Sequence, residues 1–147
     1  MALKSATSAV CQNILVERDG VPSLIRVVDI FTVPAALPSV HGNVLPIPMS
    51  LYINIKVSND DEELHTVAFS LERPDGKSVI QTVTESAAAP VGSFPEADRS
   101  IVVAAQVGVE PMQVGVHRFH ILFDGIEVSS ASFLIKQAAS ESESETK

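Results

Sequence analysis

Apolar and polar residues alternate along much of this sequence with a period of two. Successive side chains of a strand point to opposite faces, whereas a helix repeats about every 3.6 residues. Each run therefore has one apolar and one wetter face, as strands of antiparallel sheets do. The apolar members of the clearest runs are Leu51, Ile53, Ile55 and Val57, then Val67, Phe69 and Leu71, and then Phe119, Ile121 and Phe123. We predict that the last two sets face one common core.

Turn-forming residues separate these runs. Asp and Gly accept the backbone conformations of tight hairpin turns, as at Asp19-Gly20, 59–61, 74–76 and Asp124-Gly125. The sequence predicts about eight strands, near residues 6–18, 23–33, 49–58, 64–73, 78–85, 99–108, 116–124 and 126–136. Short strands with such turns predict an all-β, antiparallel sandwich.

The length of 147 residues suits one domain with a sizeable core. We expect a single β-sandwich domain over residues 1–137. Glutamates alternate with serines at the end of the chain, and such a segment has too few apolar groups to bury. Residues 138–147 are therefore expected to be a disordered acidic tail.

Two connections interrupt the strand pattern, residues 34–48 and residues 86–97. Both are rich in proline, which fixes φ and lacks an amide donor, so we expect neither to lie inside a sheet. The first also carries five aliphatic residues, which either cap an open end of the sandwich or form an exposed contact surface. This candidate interaction loop comprises Leu37, Val40, Val44, Leu45 and Ile47.

Charge and composition limit the classes of partner that the protein is expected to bind and the cell compartment in which it is expected. The formal net charge is −8, with 18 acidic and 10 scattered basic residues, which disfavours nucleic acid and anionic membranes. No hydrophobic run is long enough to span a bilayer. The single cysteine, Cys11, cannot form an intramolecular disulfide, and the first residues lack a secretory signal. We expect a soluble, cytoplasmic protein.

No set of reactive side chains converges in the sequence. His117 and His120 have odd spacing, so they point to opposite faces of a strand and cannot share a metal ion. Cys11 is expected to pack in the core, and the acidic residues 60–63 are better explained by a solvated hairpin tip than by a calcium site. We therefore expect no catalytic residue, no cofactor and no metal site.

Two hairpins carry a resemblance to a known family. The opening hairpin contains Cys11-Gln12-Asn13-Ile14, Arg18-Asp19-Gly20-Val21 and the run 23–31, and the closing hairpin contains residues 115–121 and Asp124-Gly125. Together they resemble an uncharacterised bacterial family classed as a domain of unknown function. The resemblance implies an immunoglobulin-like β-sandwich and supplies no catalytic residue.

Two functional hypotheses follow. The first is a non-enzymatic binding or assembly module that acts through loops or sheet edges, with a homodimer or a protein partner as the product. The alternative is an enzyme or a metal-dependent ligand binder. Its site would form from distant segments, around His41, His65 and residues 86–97.

Overall fold

The architecture was examined in a computed structural model, which describes residues 3–34, 39–40, 43–90, 94, 96–111 and 113–139. Every regular element in this part of the chain is a β-strand. The strands are β1 (Leu3–Val16), β2 (Pro22–Val27), β3 (Ile30–Val33), β4 (Ser39–Val40), β5 (Asn43–Val44), β6 (Ile47–Val57), β7 (Leu64–Glu72), β8 (Ser78–Ala87), β9 (Arg99–Val109), β10 (Gly115–Phe123) and β11 (Ile126–Gln137). No helix long and apolar enough to cross a membrane occurs among the described residues.

Two sheets form the predicted all-β sandwich. One has the strand order β2-β1-β6-β9 and the other β3-β11-β10-β7-β8, while β4 and β5 form a separate two-stranded ribbon. The aliphatic side of β6 packs against the phenylalanine-rich side of β7 and β10, because each run is apolar at alternate positions. The predicted common core is confirmed: Val67, Phe69, Leu71, Phe119, Ile121 and Phe123 are all buried.

One predicted strand, residues 23–33, is divided between the two sheets. β2 pairs with β1, whereas β3 pairs with β11, and this second pairing is parallel. Between them, the Val28 amide donates to the Val10 carbonyl and the Leu134 amide donates to the Asp29 carbonyl, each at 2.8 Å. The prediction of wholly antiparallel strands is therefore wrong for β3 and β11. The chain crosses from one sheet to the other within a segment that was predicted to be a single strand.

The proline-rich connections lie partly within strands, which corrects the prediction for both. Residues 39–40 pair with 43–44, and Pro48 belongs to β6. β1 pairs with β6 only as far as Cys11–Ser50, so among the described residues Pro48 has a paired neighbour on one side only, in β9. A proline is tolerated there, as it is on an edge strand. In the second connection, the start of 86–97 extends β8, and Ala89 forms an isolated bridge with Ser100.

Candidate functional site

The first hairpin extends beyond the sandwich as an arm. β1 pairs with β6 only as far as Cys11, and from there its remaining residues pair with β2 alone. We call residues 12–27 the β1–β2 arm. Two paired strands have little core of their own and are only marginally stable in isolation, so the arm is the part of the four-stranded sheet with the least support.

Apolar side chains are exposed on both faces of the β1–β2 arm. The register Asn13–Ile25 places Leu15 and Ile25 on one face, and the register Ile14–Leu24 places Val16 on the other. The exposed fractions of the large apolar residues are 47% for Leu15, 68% for Val16, 55% for Val21, 41% for Ile25 and 60% for Val27. Single exposed apolar residues are normal on protein surfaces, but a contiguous group of this kind is typical of an interaction site.

The outer side of the arm is an open sheet edge. In the described residues β2 has β1 as its only neighbour, so it presents backbone amides and carbonyls that another strand could pair with. The edge strand β8 of the other sheet differs, because its exposed residues are mostly polar, as at Gln81, Thr82 and Thr84. β2 carries Leu24, Ile25 and Val27 instead. Its protective residues are limited to Pro22 at its start, Ser23 and the charged Arg26 near its end.

Two grooves flank the point where the arm leaves the sandwich. One, of about 350 Å³, lies between Gln12 and the prolines Pro46 and Pro48, where β1 and β6 separate. The other, of about 340 Å³, is lined by Gln12, Arg26 and Phe31, among others. Arg26 has a φ of 54°, which is rare for a residue with a side chain. Strained backbone of this kind often accompanies functional surfaces.

The arm has balanced charge, although the chain is strongly acidic. Glu17 and Asp19 are matched by Arg18 and Arg26, whereas the whole chain has a formal net charge of −8. The turn of the arm is well ordered by hydrogen bonds: the Val21 amide donates to Asp19 Oδ1 at 3.0 Å, and the Glu17 amide donates to the Val21 carbonyl at 2.9 Å. The arm is therefore a defined hairpin with no net charge to repel another copy.

The candidate interaction loop is only partly described. Leu37 lies outside the described residues, and of Val40 only the backbone is described. Val44 and Ile47 are half-buried, and Ile47 packs against the core, whereas Leu45 is 44% exposed. The half-buried Ile47 agrees with a loop that caps the end of the sandwich, whereas the exposed Leu45 agrees with a contact surface. The role of this loop therefore stays a prediction.

The two histidines of β10 do point in opposite directions, as their spacing predicted. His117 faces inward, where its ring stacks on Phe133 with centroids 5.1 Å apart. His120 lies on the outer face, where Nε2 is 2.6 Å from Glu72 Oε2 and Nδ1 contacts Glu127. His117 is completely buried.

His65 lies in a cluster with two aspartates. Its Nε2 is 2.9 Å from Asp61 Oδ2, and its Nδ1 is 2.7 Å from Asp124 Oδ2. Burial lowers the pKa of His65, but the hydrogen bonds to Asp124 and Asp61 more than offset this and raise the pKa above its usual value. The hydrogen bond with His65 lowers the pKa of Asp61, and the Thr66 amide together with His65 lowers the pKa of Asp124. The histidine is therefore a cation held between two carboxylates.

This cluster corrects the interpretation of residues 60–63 as a solvated tip. Asp61 is only 7% exposed, because it turns inward to accept the hydrogen bond from His65. The alternative site around His41, His65 and residues 86–97 is not assembled by the described contacts: His65 is bonded to aspartates, and His41 lies outside the described residues. Within the same part of the chain, no group of three or more His, Cys, Asp or Glu is placed to hold a metal ion.

Cys11 packs in the core, as predicted. It is fully buried, and its thiol donates a weak hydrogen bond to the Ser50 carbonyl at 3.6 Å. Burial raises the pKa of this thiol, which keeps it protonated and unreactive. The residue marks the last pairing of β1 with β6 and so fixes the base of the β1–β2 arm.

The arm was missed in the sequence, although a signal for it was present. Ile14, Leu15 and Val16 are consecutive apolar residues, and this breaks the one-face alternation of a strand at the edge of a sandwich. Such a triplet places apolar groups on both faces. A strand that is apolar on both faces is normally covered on both faces.

The chain is similar to a known protein family. A family model described as "Family of unknown function (DUF6941)" matches residues 6–136, which confirms the predicted resemblance to a family classed as a domain of unknown function. The sequence matches no curated protein.

Two solved structures are similar at low identity. The first is the alkylpurine DNA glycosylase AlkC of Pseudomonas fluorescens bound to DNA containing an abasic site analog, with 11% identity, a TM-score of 0.48 and 88% of this chain covered. The chain spans only 30% of the length of that glycosylase. The second is an immunoglobulin-like protein from Pseudomonas aeruginosa, with 14% identity, a TM-score of 0.39, and 90% of this chain and 95% of the other covered. Likenesses this distant carry no information about activity.

Proposed function

Because the chain belongs to DUF6941, a family of unknown function, its role has to be inferred from its own surface, and we propose that it is an assembly module that forms a homodimer through the β1–β2 arm. In this proposal the β2 strands of two copies pair edge to edge across a two-fold axis. The two four-stranded sheets then become one continuous sheet.

The observation that carries the proposal is the exposure of apolar side chains on an open edge. Val27 is 60% exposed and Ile25 is 41% exposed, and both lie on β2 itself. Pairing with a second β2 would satisfy the backbone groups of the edge, and the same contact would remove these side chains from water. An edge left open with this composition is prone to uncontrolled pairing, so a defined partner accounts for it better than solvent does.

Charge favours a second copy of this chain as the partner. Two molecules with a net charge of −8 repel each other over most of their surfaces. The arm is the exception, because its two acidic and two basic residues cancel. In a two-fold antiparallel arrangement, Arg26 of one copy also approaches the acidic turn at Glu17 and Asp19 of the other, which adds an attractive contact.

The exposed Ile30 extends this surface toward the second sheet. β3 is the edge strand of the five-stranded sheet, and the chain reaches it from β2 through Val28 and Asp29. Ile30 is 57% exposed. The two sheet edges therefore lie on the same side of the sandwich, and a dimer contact centred on β2 would be continuous with β3. The proposal keeps the cytoplasmic setting expected from the unpaired cysteine.

Sedimentation velocity over a range from ~1 to ~100 µM tests the proposal. We expect the wild type to shift from monomer to dimer in this range. The double variant Ile25→Lys, Val27→Lys should remain monomeric, because two charges on β2 oppose pairing of the edges. Val83→Lys is the matched control, since Val83 is 58% exposed on β8, an edge strand of the other sheet.

Two results would overturn the proposal. A wild type that stays monomeric throughout the range contradicts the homodimer directly. A dimer that survives in the arm variant but is lost with Val83→Lys would place the interface on the opposite side of the molecule.

A further inference from the structure

A small cavity lies at the end of the sandwich where β9 finishes, and Gly108 lines both this cavity and the groove beside Pro46 and Pro48. Its volume is about 120 Å³, and it lies between the end of β9 and the five-stranded sheet. Most of its wall is apolar, from Leu71, Val79 and Val109. Arg73, Glu110 and His117 also line it, so the cavity combines an apolar wall with a few polar groups, as small-molecule sites do.

His117 has a ring nitrogen that no described residue satisfies. The ring is completely buried, and its Nε2 has no hydrogen-bond partner in the described part of the chain. Its Nδ1 is 3.2 Å from the Gly115 carbonyl. A carbonyl only accepts hydrogen bonds, so the proton of the neutral ring lies on Nδ1 and Nε2 is left as an acceptor. Burial lowers the pKa of His117, which keeps the ring neutral.

The ring is held in this orientation on two sides. It stacks on Phe133 with an angle of 15° between the ring planes, and Nδ1 is held by Gly115. Turning the ring over would break the bond at Nδ1. Leaving a buried polar atom unpaired is unfavourable, so a retained histidine at this position calls for an explanation.

Arg73 supplies the complementary donor. Its Nε is buried and also has no hydrogen-bond partner among the described residues. Among the contacts of the described residues, the guanidinium makes one long contact with Glu110, at 3.5 Å between Nη1 and Oε2. The cavity wall therefore contains one unpaired acceptor, on His117, and one unpaired donor, on Arg73.

We propose that this cavity binds a small uncharged molecule with a short aliphatic body and a carboxamide head group. The amide N–H would donate to His117 Nε2, and the amide carbonyl would accept from the Arg73 Nε–H. The aliphatic body would contact Leu71, Val79 and Val109. A cavity of about 150 Å³ is known to hold benzene, so a ligand of about six heavy atoms is the right size. The proposal does not depend on dimerisation through the arm.

A carboxylate is a poorer match than an amide. It offers only acceptors when it is ionised, so it would face the lone pair of Nε2 unless the ring took up a proton. Glu110 also offsets the positive charge of Arg73 on the same wall, so these two residues give no net charge that would attract an anion. Isobutyramide and isobutyrate, which have the same number of heavy atoms, therefore form a direct test of the head group.

The experiment is an NMR titration of the full chain with isobutyramide at pH ~8, followed through the imidazole ¹⁵N resonances and the backbone amides. We expect saturable shifts at residues that line the cavity, with a dissociation constant in the ~millimolar range. The Nε2 resonance of His117 should move toward the value of a hydrogen-bonded acceptor. Isobutyrate should bind at least ~10-fold more weakly at this pH.

Two variants separate a ligand site from a purely structural histidine. His117→Phe keeps the stacking on Phe133 and removes the acceptor, so isobutyramide binding should be lost while the melting temperature is unchanged or higher. Arg73→Lys keeps the charge and removes the Nε–H, and it should weaken binding at least ~10-fold. Arg118→Lys is the matched control on the outer face of β10 and should bind normally.

The proposal fails if no saturable shift appears at ~100 mM isobutyramide, if isobutyrate binds as tightly, or if His117→Phe folds and binds like the wild type. If His117→Phe does not fold, Arg73→Lys decides the question, because normal binding in that variant would exclude the donor on which the site depends.

Discussion

Nδ1 of His65 lies 2.7 Å from Oδ2 of Asp124, and this contact joins two connections that are far apart in the sequence. Asp124 is in the turn between β10 and β11, whereas His65 is the second residue of β7, beside the connection from β6. Asp124 also accepts from the Thr66 amide at 2.8 Å, and its own amide donates to the Thr66 carbonyl at 2.8 Å. One end of the sandwich is thus closed by a network centred on a buried histidine.

Replacing His65 should destabilise the protein much more than replacing His120. His65→Phe leaves the buried carboxylate of Asp61 without its cation, and we expect a loss of about 2–4 kcal/mol in the free energy of unfolding. His120→Phe should lose less than about 1 kcal/mol, because that histidine and its two glutamates lie on the solvated face. Urea denaturation of both variants at one pH makes the comparison, and equal losses would contradict it.

The contribution of His65 should also depend on pH. Its pKa is raised in the folded protein, so the folded state binds a proton that the unfolded state releases first. The stabilisation is complete below the ordinary histidine pKa of about 6.5 and disappears as the pH rises through the higher folded value. The gap in unfolding free energy between the wild type and His65→Phe should therefore narrow from pH ~6 to pH ~9, and a constant gap would refute a charged His65.

His117 should show the opposite pH dependence. Burial lowers its pKa, so below about pH 6.5 the unfolded state takes up a proton that the folded ring refuses. His117→Phe should consequently gain stability relative to the wild type as the pH falls from ~7 to ~5. The same denaturation series measures this, and a relative loss toward low pH would show that the buried ring is charged.

Phe119 should be among the most sensitive core positions. It is fully buried between Phe69 and Phe133, with ring centroids 6.1 and 5.9 Å away. Phe119→Ala should lower the free energy of unfolding by about 3–5 kcal/mol, since it leaves a cavity in a packed core. Val116→Ala on the outer face of the same strand should change it by less than about 0.5 kcal/mol. A loss below about 1 kcal/mol for Phe119→Ala would mean that the core readily collapses around the missing ring.

Two variants distinguish the two roles considered for the candidate interaction loop, a cap on the core and a contact surface. Ile47→Asp should lose about 1–3 kcal/mol of stability, because Ile47 packs against the core, whereas Leu45→Asp should be nearly neutral for folding. Thermal melting reports the first effect, and sedimentation reports whether Leu45→Asp alters association. If both variants melt like the wild type and associate normally, the loop is neither a cap nor a contact surface.

The features of the fold that the sequence predicts are those determined by the alternation of apolar and polar residues within one strand. The alternation of β7 and β10 was sufficient to identify their core faces, because each strand has one buried face. The division between β2 and β3 was not predictable in this way, since the pattern of residues 23–33 predicts a single strand. The crossing depends on Arg26 adopting a positive φ and on partners in Val10 and Leu134 that only the tertiary structure supplies.

The candidate sites show the same limit. The odd spacing of His117 and His120 was enough to place them on opposite faces of the strand. It did not show that Nε2 of His117 would lack a partner among the described residues. The His65 cluster joins Asp61, four residues before it, to Asp124 on a different hairpin. His65 and Asp124 are 59 residues apart on different hairpins, so their contact depends on how the two hairpins pair, which the pattern within either hairpin does not determine.

The parallel pairing of β3 with β11 sets the order in which this chain can complete its fold. Ile30 pairs with Leu134, so a strand near the beginning of the sequence waits for the last described strand before its edge is filled. During synthesis all four strands of the first sheet are available for pairing once β9 has emerged, whereas β3 stays unpaired until β11 leaves the ribosome. Contacts between such distant segments form slowly. A five-stranded sheet that still lacks β11 exposes unpaired strand edges, and such edges favour aggregation.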